Sequence, residues 1–387
     1  MLTKRVQSLS PSLTIAISTL AAELKAQGKD IISFSAGEPD FNTPEIIKDE
    51  AKKALDENFT RYTAVPGFPK LLDSIKLKLK RDNNLEYKSS QIIVSNGAKH
   101  SLFNLFQTVI EEGDEVIIPS PYWVTYPELV IYSGGKSVFI ETTDEDGFKI
   151  TPEQLKAAIT PKTKMLILTT PSNPTGSVYS KEELEALGEV LKGTDILVAS
   201  DEMYEKLIYE GKFTATASVS QDMFERTITI NGLSKSVAMT GWRFGYLASP
   251  KDELIAAMKK LQSQSTSNIN SITQYAAIVA LKGEADSDIE MMRKEFKKRR
   301  DLAVKLLNDS DKLSVLKPDG AFYLFVNIQK ISNDSMTFCK QILEEKGVAL
   351  VPGVGFGSEG YFRFSFATDV DSIKEGITRI KDFCDNY

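Results

Sequence analysis

Five short apolar runs, each leading into residues that a buried strand has no use for, constrain this chain more than any other feature. Ile92, Ile93 and Val94 run into Asn96, Gly97, Ala98 and Lys99, and Val116, Ile117 and Ile118 into Pro121, Tyr122 and Trp123. Met165 to Leu168 runs into Pro171, Ser172, Asn173 and Pro174; Ile196, Leu197 and Val198 into Asp201 and Tyr204; Thr227 to Ile230 into Lys235. Amphipathic, charged segments separate the runs, which is the pattern of an α/β protein. Ligands of a mostly parallel sheet bind beyond the carboxyl ends of its strands. The five segments are therefore expected to converge on one site.

The last of them carries the sharpest chemistry. From Gly232 to Tyr246 the chain reads GLSKSVAMTGWRFGY, with Lys235 eight residues before Arg243. An amine that can form an imine and a planar cation suited to phosphate oxygens are what a pyridoxal phosphate site requires. Either residue alone is ordinarily a solvated surface cation, so the pair is read with its company. Asp201, approached by an apolar run, is either a helix N-cap or a buried carboxylate facing a protonated pyridine nitrogen. Tyr204 is a half-buried core tyrosine or a donor to a phenolate oxygen. Asn173, in the turn PSNPTG, either satisfies local backbone or presents its amide rigidly to a ligand. The backbone N–H groups of Gly97, Ala98 and Lys99 precede a helical pattern over 101–110; they form an anion site at a helix N-terminus or an ordinary turn. Trp123 is a packed core residue or stacks on a planar ring. His100, the only histidine, is read as a capping or surface residue.

Bulk properties narrow the classes. With 387 residues and 42% hydrophobic, the chain suggests two domains, or one large domain with an appended lobe. A net charge of -6, from 47 basic and 53 acidic side chains, offers no broad basic field for nucleic acid or an anionic membrane. One histidine and two distant cysteines, Cys339 and Cys384, argue against a metal site, a Ser-His-Asp triad or a disulfide framework. The start lacks an apolar leader and no long apolar run occurs, so a cytoplasmic protein is expected. The stretch 250–300 reads as helical throughout and as the link to a second lobe. In that lobe Phe362, Phe364 and Phe366 share one face of an alternating segment, which points Arg363 the other way, toward a cleft. The first 40 or so residues have no assignable lobe by pattern.

Taken in order, SAGEPDFNTP, RYTAVPG, SNGAKHSLFNLF, PSPYWVTYPE, PSNPTG, SDEMYE, SKSVAMTGWRFGY, GAFY, VPGVGFG and YFRFSFA resemble the class I pyridoxal phosphate-dependent aminotransferases along essentially the whole chain. The closest likeness is to the bacterial aspartate aminotransferases of the gamma subgroup. The resemblance implies the fold type I architecture: a large domain over 45–285 on a mostly parallel seven-stranded sheet, a small α/β domain from 1–44 and 286–387, and a homodimer with shared active sites. It implies that Lys235 is the Schiff-base lysine, that Asp201 pairs with the pyridine nitrogen, that Asn173 and Tyr204 hold the phenolic oxygen, and that Trp123 stacks on the ring. Arg243, the backbone near Ala98 and Lys99, and Tyr62 from the other subunit would hold the phosphate. Arg363, with Gly37 and Asn173, would bind the substrate α-carboxylate; Trp123 also borders the substrate, and Lys99, with Ser12 and Thr14, would read the distal carboxylate. The implied reaction moves the amino group of L-aspartate to 2-oxoglutarate, giving oxaloacetate and L-glutamate. The alternatives are an aminotransferase of aromatic or other neutral amino acids, a β-lyase on the same fold, and a cofactor-sensing regulator. The last is disfavoured because SAGEPD begins about 35 residues in. Two departures stand out: Gly232 replaces a phosphate-binding serine of many relatives, and Ser10 replaces a lysine associated with prephenate.

Overall fold

The computed structural model describes residues 1–387, and its strands follow from the buried runs. In chain order they are β1 (Ile32–Ser33), β2 (Ile92–Asn96), β3 (Glu115–Ser120), β4 (Lys136–Glu141), β5 (Thr163–Thr169), β6 (Leu197–Asp201), β7 (Thr227–Gly232), β8 (Phe244–Ala248), β9 (Ser314–Val315), β10 (Tyr323–Asn327), β11 (Val348–Ala349), β12 (Val351–Pro352) and β13 (Tyr361–Ser365). Seven of them form one sheet in the order β2-β8-β7-β6-β5-β3-β4. All its strands run parallel except β8, which is antiparallel to both neighbours. Helices cover both faces, so the inner strands are apolar on both sides, as parallel strands must be. Only the edge strand β4 is largely open to solvent.

Local signals set the helix ends. Thr151 and Ser180 each form a reciprocal capping box, with Gln154 and Glu183. The stretch expected to be helical throughout 250–300 is broken: helices Asp252–Ser265, Ser271–Lys282 and Asp286–Asn308 replace it. The breaks have ordinary causes, since the Asn270 side chain caps the second helix and Gly283, at φ 89°, ends it.

The second lobe is a four-stranded antiparallel sheet, β12-β13-β10-β9, with helix Ser335–Lys346 packed on it and helix Val370–Asn386 packed on that helix, on helix Asp286–Asn308 and on β11. The N-terminal segment joins this lobe. β1 pairs in parallel with β11, and helix Leu13–Ala26 contributes Ala21 to an apolar cluster with Ile31, Leu343 and Ala349. A 51-residue core runs without interruption from Ile93, Leu102 and Ile118 under the large sheet to Phe322, Leu324, Phe362 and Phe364 in the second lobe. No helix is long and apolar enough to cross a membrane.

Candidate active site

The carboxyl ends of the large sheet and the back of β13 enclose a cavity of about 340 Å³. Its lining includes Thr14, Gly37, Ala98, Lys99, Trp123, Asn173, Asp201, Tyr204, Lys235, Arg243 and Arg363. All five strand-end segments thus reach one place, joined by two residues of the second lobe, Tyr323 and Arg363, and two of the N-terminal segment.

One end is an anion cradle built from backbone. Helix Ala98–Val109 begins directly after β2, with Gly97 as its N-cap at φ 79°, so its first N–H groups are free of intrahelical partners. Arg243 sits opposite in the left-handed region at φ 57°, a conformation a non-glycine residue adopts at some cost. Its guanidinium donates to the Thr240 carbonyl at 2.9 Å and forms no ion pair. The parts touch so closely that side chains are excluded: a Cβ on Gly97 would lie 2.5 Å from Arg243 Nη2, and one on Gly245 2.3 Å from the Ala98 nitrogen. Gly232 has the same explanation. A Cβ there would meet the Phe244 carbonyl at 2.7 Å, so a serine at this position does not fit between β7 and β8.

Beyond the cradle lies the amine. Lys235 is half-buried by surface area, with its amine in the cavity, and desolvation lowers its pKa to about 8; Glu38 nearby opposes the shift, while Arg363 and Arg243 add to it. Its Nζ donates to the Gly37 carbonyl. Asp201, the last residue of β6, is buried, and burial raises its pKa although Tyr126 O–H donates to Oδ2 at 2.8 Å and Met203 N–H to Oδ1 at 3.3 Å. No helix starts after Asp201, which removes the N-cap alternative. Trp123 stands edge-on to Tyr126, with centroids 5.4 Å apart, and Lys99 Nζ lies 4.8 Å from the Trp123 ring centre. Burial, then Arg243, lowers the Lys99 pKa.

The far end is a buried cation. Arg363 is 1% exposed; it donates to Asn173 Oδ1 at 3.0 Å and to the Ser35 carbonyl at 2.8 Å, and lies over the Tyr323 ring at 4.5 Å. Its Nε has no hydrogen-bond partner and no carboxylate opposes its charge. A buried guanidinium of this kind calls for an anionic ligand.

Two sequence expectations fall elsewhere. Tyr62 is 91% exposed and outside the cavity of its own chain. Ser12 is the residue before helix Leu13–Ala26 and does not line the cavity, whereas Thr14 does. His100, read from sequence as a capping or surface residue, is half-buried, its Nδ1 accepting from Asn96 N–H at 3.1 Å. Sequence reasoning missed Tyr126, on Asp201, and Tyr323, whose hydroxyl lies 2.8 Å from that of Tyr204. Both sit inside quoted motifs, PSPYWVTYPE and GAFY, but aromatic residues near apolar runs read as packing.

The set fits pyridoxal 5′-phosphate: a cradle that excludes side chains for the phosphate, a buried carboxylate for the ring nitrogen, and an amine with lowered pKa between them. Comparison with known proteins leads to the same family. The sequence profile described as Aminotransferase class I and II matches residues 29–380. The chain is 51% identical to an aspartate aminotransferase of Bacillus subtilis (strain 168), over 100% of this chain and 99% of the relative. It is 48% identical to an aspartate/prephenate aminotransferase of Nitrosomonas europaea, over 98% of each. Its fold superimposes on an aspartate aminotransferase from Thermus thermophilus, solved with maleate, with a TM-score of 0.95, 42% identity and 99% of each chain covered. The chain belongs to the class I and II aminotransferases, enzymes that use pyridoxal 5′-phosphate.

Proposed function

We propose that the protein is an aspartate aminotransferase, moving the amino group of L-aspartate to 2-oxoglutarate and releasing oxaloacetate and L-glutamate. The observation that carries this reading is the buried, unopposed Arg363 in the same cavity as Lys235, with a second cation, Lys99, on the wall. A dicarboxylic substrate gives each cation an oxyanion. The relatives named as aspartate aminotransferases support the choice, and in one of them the bound maleate is itself a dicarboxylate.

When bound, the cofactor supplies an aldehyde carbon that takes the amino group and a ring that spreads the electrons left at the substrate Cα. The protein does the rest. The Ala98 and Lys99 N–H groups and the Arg243 fork would hold the phosphate, with Tyr62 of a second subunit completing the cradle in a homodimer. Asp201, fixed by Tyr126, would hold the proton on the ring nitrogen. The Asn173 amide nitrogen and the Tyr204 hydroxyl would face the phenolic oxygen, and Trp123 would lie on the ring. Arg363 would clamp the α-carboxylate as a bidentate pair with help from Gly37, while Lys99, Thr14 and Ser12 would face the distal carboxylate. Lys235 Nζ would take the Cα proton and return it at the C4′ carbon; its low pKa keeps a useful fraction of the amine neutral near pH 7.

On this reading the large domain spans 45–285 and the small domain 1–44 with 286–387, a division supported by the pairing of β1 with β11. A cytoplasmic location is proposed with it. Ser10, in place of the lysine associated with prephenate, remains the argument against that substrate. The test is a half-reaction titration: the cofactor-loaded enzyme is mixed with aspartate, glutamate, alanine or phenylalanine, and loss of the cofactor's absorbance is followed. Aspartate and glutamate are expected to react fastest. Equal rates with the neutral amino acids would return the assignment to an aminotransferase of neutral substrates, and a keto-acid product assay with cystathionine separates a β-lyase.

A further inference from the structure

In Ser200-Asp201-Glu202-Met203-Tyr204-Glu205 the proposed chemistry uses only Asp201 and Tyr204. The two glutamates are as buried as they are, at 0% and 7% exposure, and a buried carboxylate with no task is expensive to keep. Their surroundings give them one. Asp201 and Tyr204 face the cavity, whereas Glu202 and Glu205 point to the opposite side of the sheet. Glu202 Oε1 accepts from Ser200 Oγ at 2.9 Å and from Thr216 N–H at 3.0 Å, while its own N–H continues the ladder to the Ile230 carbonyl at 2.9 Å. Glu205 pairs with Lys78 and accepts from Asn83 Nδ2 at 2.8 Å; Lys78 and Asn83 are also bonded to each other, at 2.7 Å. The turn is thus tied both to the helix Pro69–Asn83 and to the Thr216 turn.

We propose that Glu202 and Glu205 are positioning residues that clamp, from the rear of the sheet, the turn whose front presents Asp201 and Tyr204. The inference rests on the functional reading above, in which those two residues hold the cofactor ring. The two clamps differ in charge. Glu205 has the ammonium of Lys78. Glu202 faces Glu205, the ammonium of Lys78, which opposes the effect of Glu205, the hydroxyls of Tyr87 and Tyr246, and beyond them Asp82, itself engaged by Arg81 and Lys206. Glu202 Oε2 and both tyrosine hydroxyls make no hydrogen bond, and burial, reinforced by Glu205, raises the Glu202 pKa to about 8. Glu202 therefore carries its proton at neutral pH. Because the folded protein keeps a proton that the unfolded chain releases, this group makes stability fall as pH rises from 4.5 toward 8.

The test uses the full chain, with and without pyridoxal 5′-phosphate, in wild type, Glu202→Gln, Glu202→Ala and, as a control, Asp201→Ala. Glu202→Gln preserves shape and neutrality, so cofactor affinity by equilibrium dialysis is expected within about twofold of wild type, with an unchanged absorption maximum. Glu202→Ala is expected to weaken affinity about tenfold and shift the absorption. In the cofactor-free protein, the wild-type denaturant midpoint falls between about pH 6 and about pH 8.5 by more than that of Glu202→Gln, and an infrared band of a protonated carboxyl present at neutral pH is missing in Glu202→Gln. Wild-type affinity and absorption in Glu202→Ala overturn the clamp, whereas an unchanged pH slope in Glu202→Gln overturns the protonated state of Glu202. If Glu202→Ala does not fold, Glu205→Gln, which leaves Lys78 without its carboxylate, decides: weakened cofactor affinity with a shifted absorption supports the proposal, and wild-type affinity and absorption overturn it. If Asp201→Ala retains wild-type affinity and absorption, the functional reading fails instead.

Discussion

Arg243 and Arg363 bring the same guanidinium to the same cavity from opposite kinds of structure. Arg243 is exposed, held on a left-handed backbone, and belongs to a cradle made wholly by the large lobe. Arg363 is buried in the middle of β13 and is held in place from outside its own strand, by Asn173 of the large lobe, the Ser35 carbonyl of the N-terminal segment and the Tyr323 ring. The first draws nothing from the second lobe. The second exists only when three separate parts of the chain are assembled. A cofactor that stays and a substrate that comes and goes suit this division.

The comparison can be broken at its midpoint first. Lys235→Ala is expected to lower turnover by on the order of 10⁵-fold while leaving both anion sites and non-covalent cofactor binding in place. Steady-state assay and dialysis measure the two; retained turnover would remove the proposed base. Arg363→Ala should cut kcat/KM for aspartate about 100- to 1,000-fold, because it leaves a substrate carboxylate and Asn173 without their buried partner. Its cofactor affinity should barely move. Arg243→Ala should do the reverse, weakening the cofactor about 10- to 100-fold and, once the cofactor is saturating, changing kcat/KM much less. If the two variants behave alike, the lobes do not divide the labour. The smallest effect is on stability. Lys235 has a lowered folded pKa, so the unfolded chain binds the extra proton between pH 8 and 10.5, and the cofactor-free protein should gain stability across that window as pH rises. Lys235→Met should lack this gain in denaturant midpoints measured through the same window.

Legibility divided along a similar line. β2, β3, β5, β6 and β7 announce themselves as buried apolar runs, and a polar or aromatic residue just past each marks the cavity. β4, an exposed edge reading KSVFIE, and β8, a short FGYLA, carry weaker patterns, and nothing local says that β8 runs backwards. Arg363 was readable from period-2 alternation alone. Its supports were not: Tyr323 and the Ser35 carbonyl meet it through contacts separated by 40 and 328 positions in sequence. Lys99 could be placed at a helix start, but its seat over Trp123 depends on two strand ends meeting in space. Tyr62 marks the boundary of the single chain, since the role assigned to it needs a second subunit.

The uninterrupted 51-residue core limits how this molecule can move. A hinge that swung the second lobe away would wet the apolar layer between Ile118 and Phe364, at about 25 cal/mol for every Å² uncovered. Sliding along that layer keeps it dry. Any rearrangement that brings Arg363 onto a substrate is therefore expected to be a shear of small amplitude, with the N-terminal strand β1 carried along by its partner β11, and not an opening and closing of jaws.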